Sequence, residues 1–180
     1  MNQELKGLIP EIINNFALYK GEVNQDNKFL GVTGEVTMPD LQNMTETISG
    51  AGILGEIEAA NPGHYSNIDM EIPFIGLCND MLQFSETETT NLTMRMVQQS
   101  TVKSTREKSY KGLVISIGGT RKALKVGNVK IGGQMGSSVT LAVNYIKIAT
   151  DECTLFELDK FNETYVLNGK DQLEKINKLC

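Results

Sequence analysis

The chain has no tryptophan, one histidine, four prolines and three cysteines among its 180 residues. A lone histidine excludes a metal centre built on clustered imidazoles and leaves only His64 as the base of a nucleophilic triad. His64 itself follows Asn61-Pro62-Gly63, a turn signature. Glu56/Glu58 and Asp69/Glu71 imitate a glycosidase carboxylate pair, but with 6% aromatics a sugar-stacking platform is poorly supplied. Cys78, Cys153 and Cys180 form no Cys-x-x-Cys pair and are odd in number, which points to reduced thiols in a cytosol. Gly118-Gly119-Thr120-Arg121-Lys122 lacks the full spacing of a phosphate loop. No run approaches the roughly 18 apolar residues that cross a bilayer. The opening MNQELKGLIPEIINNF has no apolar core of a secretory signal, so neither a leader nor stable membrane insertion is expected. No catalytic, metal or cofactor-binding set emerges, and the chain reads as a non-enzyme.

Charge is present but unevenly spread. Twenty-two acids against 17 basic residues give a net charge of -5, which argues against a free nucleic-acid binder and suits a surface past which DNA slides. From Phe29 to Met94 there are ten acids and no lysine or arginine. From Arg95 to Lys130 there are nine basic residues and a single acid, Glu107. Oppositely charged halves suit head-to-tail association of copies; the alternative is that the fold interleaves and neutralises them internally.

Period-two alternation dominates and predicts strands over 28–38, 53–59, 66–74, 91–101, 111–117, 137–148 and 153–158. Gly118-Gly119 and Gly132-Gly133 read as turns. Short helices are expected within 76–84 and over 170–179, where Leu173, Ile176 and Leu179 recur at helical spacing. The fold class is therefore mainly β: one domain spanning 1–180, an antiparallel sandwich or barrel with a short helix and a C-terminal helix. Residues 40–52 and 100–110 are too polar for core and too long for tight turns. They read as solvated loops or as protruding arms, with Asn43, Thr45, Glu46, Ile48, Arg106 and Lys108 as candidate inter-subunit contacts. Strands 53–59 and 66–74 flank the Asn61-Pro62-Gly63 turn and are expected to pair. That would put Glu56, Glu58, Asp69 and Glu71 on one face, either lining an aqueous channel or simply solvated.

Several segments, in order along the chain, carry a resemblance. Ile9-Pro10-Glu11-Ile12-Ile13-Asn14-Asn15-Phe16 precedes Leu18-Tyr19-Lys20-Gly21, and Gly34-Glu35-Val36-Thr37-Met38-Pro39-Asp40-Leu41 precedes Ser49-Gly50-Ala51-Gly52. Tyr110-Lys111-Gly112-Leu113, then 141–148 (LAVNYIKI), Leu155-Phe156-Glu157-Leu158-Asp159 and Asn168-Gly169-Lys170-Asp171-Gln172-Leu173 complete the series. Together they resemble the major tail tube proteins of contractile-tailed phages and phage-tail-like particles. The chain departs from that pattern at 123–136, which is Gly-rich and basic where an acidic, Trp-bearing connector is expected, and at 162–167.

The resemblance implies a virion structural protein, assembled in the host bacterial cytoplasm, whose hexameric rings close a continuous inner barrel and stack into a tube. Its implied partners are further copies of itself, the tail sheath, the baseplate and the tail terminator, with DNA passing through the lumen unbound. A tube protein of a headless bacteriocin or of a secretion system has the same architecture. A soluble β-barrel that binds small ligands is a reading of another class.

Overall fold

The computed structural model describes residues 7–150 and 153–179; Cys180 and the first six residues, on which part of the leader reading rests, lie outside them. Ten strands form: β1 (Leu8–Lys20), β2 (Asn43–Ser49), β3 (Glu56–Tyr65), β4 (Ile68–Phe74), β5 (Thr90–Val102), β6 (Lys108–Lys125), β7 (Ser137–Thr150), β8 (Thr154–Asp159), β9 (Thr164–Leu167) and β10 (Lys170–Asp171). Two single-turn α-helices, α1 (Asn79–Leu82) and α2 (Glu174–Asn177), and a 3-10 turn at Gln25–Asn27 complete the regular structure among the described residues. Among the described residues no helix is long and apolar enough to cross a membrane.

The main sheet runs β1-β5-β6-β7-β8-β9-β10, with β4 also on β7, and every paired register is antiparallel. Strand β7 organises it. One side of β7 pairs with β6 along almost its whole length. On the other side, residues 137–143 pair with β4 and residues 145–149 pair with β8. The change of partner falls at Asn144, which is the extra residue where Gly118 opposes Tyr145 and Gly119 opposes Val143. A bulge bends and twists a strand, so the sheet turns a corner here and folds over its own apolar face. Gly119 permits the bend: a Cβ at that position would lie 2.5 Å from the Ala142 carbonyl oxygen.

The core fills the inside of that fold. Ile68, Met70, Ile72 and Phe74 of β4 alternate inward and meet Val139, Leu141 and Val143 of β7. Leu92 and Met94 of β5, Ile115 and Ile117 of β6, Ile146 of β7 and Leu158 of β8 continue the same layer. Each large apolar side chain buried in this way contributes about 1.5–3 kcal/mol. A strap formed by residues 28–41 lies over the open side. Phe29 stacks on Phe84 with ring centroids 5.4 Å apart and meets Phe74 edge-on at 6.4 Å. The strap is tied to β1 by Phe29 N–H donating to the Leu18 carbonyl (2.9 Å), and to β4 by Thr33 N–H donating to the Pro73 carbonyl (3.0 Å). The result is a sandwich-like half barrel in which the strap, not a ladder, spans from β1 to β4; the barrel is not closed.

Several expectations change. Residues 28–38 form no strand, only the isolated bridges Tyr19 to Lys28 and Val32 to Phe74, because Gly31 takes a positive φ of 79° and breaks the ladder. The proposed 53–59/66–74 hairpin does not exist: β3 pairs with β2, and β4 pairs with β7. Asn61-Pro62-Gly63 is no hairpin turn but an irregular stretch inside β3, where the partners jump from Thr45–Ala60 to Asn43–Tyr65. Gly118-Gly119 is the bulge inside β6, whereas Gly132-Gly133 does sit in a turn. The C-terminal helix shrinks to Glu174–Asn177, since Lys170 and Asp171 pair with β9 instead. Strand β1 was not read from the sequence at all.

Candidate functional site

Strands β2 and β3 form a two-stranded arm outside the main sheet, reversing direction through 50–55. The 40–52 segment is thus half of a hairpin rather than a loop. All seven residues of β2 are exposed, and β3 is exposed from Glu56 to Pro62. An isolated hairpin with no third strand is marginally stable in water, so this arm depends on its root. There Ser66 N–H and Oγ–H both donate to the Gln42 carbonyl at 3.0 Å, and Lys160 Nζ donates to the Ser66 carbonyl at 2.8 Å. Tyr65 packs edge-on against Phe156 and Tyr165, and its hydroxyl bonds that of Tyr165 at 3.1 Å. Burial and this bond push the Tyr65 phenol well above its ordinary range, and burial pulls the Lys160 ammonium down.

The register gives the arm two unlike faces. Ile48 lies opposite Ile57 and Glu46 opposite Ala59, on one face. Thr47 opposite Glu58 and Ser49 opposite Glu56 lie on the other. Leu54 at the tip is fully exposed, and Met44 near the root is 54% exposed. Among the described residues no cation forms an ion pair with Glu46, Glu56 or Glu58.

Asp69 and Glu71 lie elsewhere, on the outer side of β4. Asp69 accepts from Lys122 Nζ at 2.5 Å; Glu71 accepts from Ser138 Oγ at 2.5 Å and sits 3.8 Å from Lys125. Arg121 likewise pairs with Glu86. Here the basic half and the acidic half of the sequence neutralise each other within one chain. The four carboxylates do not share one face, because β3 and β4 belong to different sheets.

The 100–110 segment is the end of the β5–β6 hairpin, not a free loop. Arg106 sits in its turn with a positive φ of 61°. Lys108 is engaged within the chain: its Nζ donates to both Glu11 oxygens at 2.6 and 2.7 Å. Glu11 also accepts from Thr101 and Gln99, and these bonds, Lys108 first, hold its carboxyl down at about 2. The cluster locks the ends of β1, β5 and β6 together.

Strand β1 supplies the feature the sequence reading missed. It is a sheet edge, bridged by the strap only near Leu18–Lys20. Ile9, Ile12 and Ile13 are 52%, 55% and 46% exposed. Where the strap diverges from β1, a groove of about 440 Å³ opens, lined by Ile13, Phe16, Val36, Met38, Met94 and Met96. The signal was present in the isoleucines of LIPEIINNF, but two bulges, at 10–12 and 13–15, break the alternation that would have revealed a strand.

The sequence matches the phage tail tube protein FII family over residues 10–179. The chain belongs to that family. The tail tube fold is also found in a solved chain of an extracellular contractile injection system, the PVC sheath/tube terminator in its extended state. That chain is 12% identical with a TM-score of 0.52, and the likeness covers 78% of this tail tube protein and 96% of the terminator. No curated protein matches the sequence. A tail tube chain is a structural component of a particle tail. Among the described residues no group of three or more His, Cys, Asp or Glu side chains is arranged to hold a metal ion.

Proposed function

We propose that this protein forms hexameric rings that stack into the inner tube of a contractile tail, through which DNA leaves the particle. What carries the reading is a chain of the tail tube family that leaves a strand edge and a whole hairpin uncovered as a monomer. Natural β proteins blunt or cover such edges, and pairing between copies covers them. The sheath surrounds the tube, and the baseplate and a terminator ring close its ends. Glu56 and Glu58, which form no ion pair among the described residues, face the bore and repel phosphates. Asp69 and Glu71, already matched by Lys122, Ser138 and Lys125, contribute less there.

Negative-stain micrographs of the concentrated full-length protein test this. Rings or tubes with a central hole are expected; a persistent 19.8 kDa monomer under all assembly conditions overturns it. The likeness to a sheath/tube terminator favours one second reading, a ring that caps the tube once. Copy number in purified particles separates the two: many stacked rings for a tube subunit, a single ring for a cap. Capsid and terminase genes beside the coding sequence separate a phage from a headless particle.

A further inference from the structure

The arm and the edge beside the groove are both uncovered in the single chain, and both carry exposed apolar side chains. The arm offers Ile48 opposite Ile57 on one face, with Glu46 opposite Ala59 nearer the root of that face, and Glu56 and Glu58 on the other. Beside its free edge the main sheet presents apolar side chains on both sides. On the core side, β1 and β5 present Ile13, Phe16, Met94 and Met96 to the groove. On the opposite side lie the exposed Ile9, Ile12 and Val97 and the Glu11 carboxylate, and, opposite Ala17, β5 presents Arg95, which is exposed and without an ion-pair partner among the described residues. Backbone groups of residues 8–17 on the edge away from β5 receive no backbone hydrogen bond from another described segment.

We infer that the arm of one copy adds as a strand to the residue 8–15 edge of a second copy, seating Ile48 and Ile57 over that copy's methionine-lined groove. The inference rests on the self-assembly reading above and names the contact that carries it. Strand addition satisfies the free backbone groups of both partners, and pockets for alternate side chains fix which face turns inward. With Ile48 and Ile57 over the groove, Glu56 and Glu58 fall on the side of Arg95, the one cation there without a partner among the described residues. The reverse orientation turns Glu56 and Glu58, rather than Glu46 alone, toward methionine, and the larger desolvation cost disfavours it. Methionine suits the groove because its unbranched side chain adapts to an incoming isoleucine. The contact is heterologous, arm to edge, so each copy uses both surfaces and the chain of contacts closes as a ring or continues as a filament.

Complementation between two defective full-length proteins tests it. Ile48→Asp with Ile57→Asp spoils the arm, and Ile13→Asp with Met96→Asp spoils the groove. In sedimentation velocity each variant alone stays monomeric under conditions where the unaltered protein assembles. A one-to-one mixture gives dimers and nothing larger, because one intact arm meets one intact groove. Arm variants that assemble like the unaltered protein overturn the contact, as does a mixture that stays monomeric while both variants melt normally. If the groove pair melts early, Ile13→Asp alone, at a 46% exposed position, replaces it. An unaltered protein that never leaves the monomer overturns the self-assembly reading and this contact with it; assembly that ignores the arm variants overturns this contact alone.

Discussion

At the scale of single residues, buried and exposed positions carry different duties. Gly119 closes against the Ala142 carbonyl oxygen, so Gly119→Ala forces the two strands apart and is expected to lower stability by about 1–3 kcal/mol in urea unfolding. Phe74→Ala, which empties a fully buried site among Phe29, Ile72 and Met81, is expected to cost about 3–5 kcal/mol. Ile57→Ala on the arm should stay within about 0.5 kcal/mol in the same assay, since it leaves the monomer's core untouched. The Glu11 carboxyl binds protons less readily in the folded chain, at about 2 against an ordinary 4.5. Its support is therefore complete above 4.5 and disappears as the pH falls toward 2. Melting temperature followed across that window should fall less in Glu11→Gln than in the unaltered protein. Equal slopes would mean that the Lys108–Thr101–Gln99 cluster does not couple to folding.

Among the elements, the arm is separable from the body because its side chains enter the core only at its root. Replacing residues 46–59 by Asn-Gly joins Thr45 to Ala60 through a two-residue turn that matches strand twist. This shortened chain should keep its melting temperature within a few degrees and lose assembly; tubes of normal length from it would show that the arm is dispensable. The elements also show how far the sequence could be read. Strand β5 was legible because buried positions alternate with exposed ones, which imprints period two on residues 91–101; β7 and β8, with no exposed residue, were legible from their β-branched and apolar runs at 137–148 and 153–158. Only the first half of the arm falls in the 40–52 segment; its second strand is legible as a strand at 53–59 but with the wrong partner and too short. Alternation in 53–59 and 66–74 is equally strong whichever strand lies alongside, and partner choice depends on contacts far apart in the chain. The strap looked like a strand because its apolar residues do meet the core, though through an irregular backbone. The groove and the free β1 edge were invisible, since both arise only where the strap leaves β1.

For the whole molecule, the charge segregation of the sequence resolves into two kinds of acid. Asp69, Glu71 and Glu86 are matched within the chain by Lys122, Lys125 and Arg121. Those of the arm are left over, and on the proposed reading they face the bore. Glu56→Lys combined with Glu58→Lys should therefore give particles that release DNA more slowly, measured as ejection kinetics in vitro; an unchanged rate would remove both residues from the bore. The corner at Asn144 has a consequence for cooperativity. Because β4 and β8 share a single supporting strand, neither layer has a foundation once β7 is lost, and the body cannot melt half at a time. Heating should give one transition for it, with the amides of β7 the last to exchange their protons.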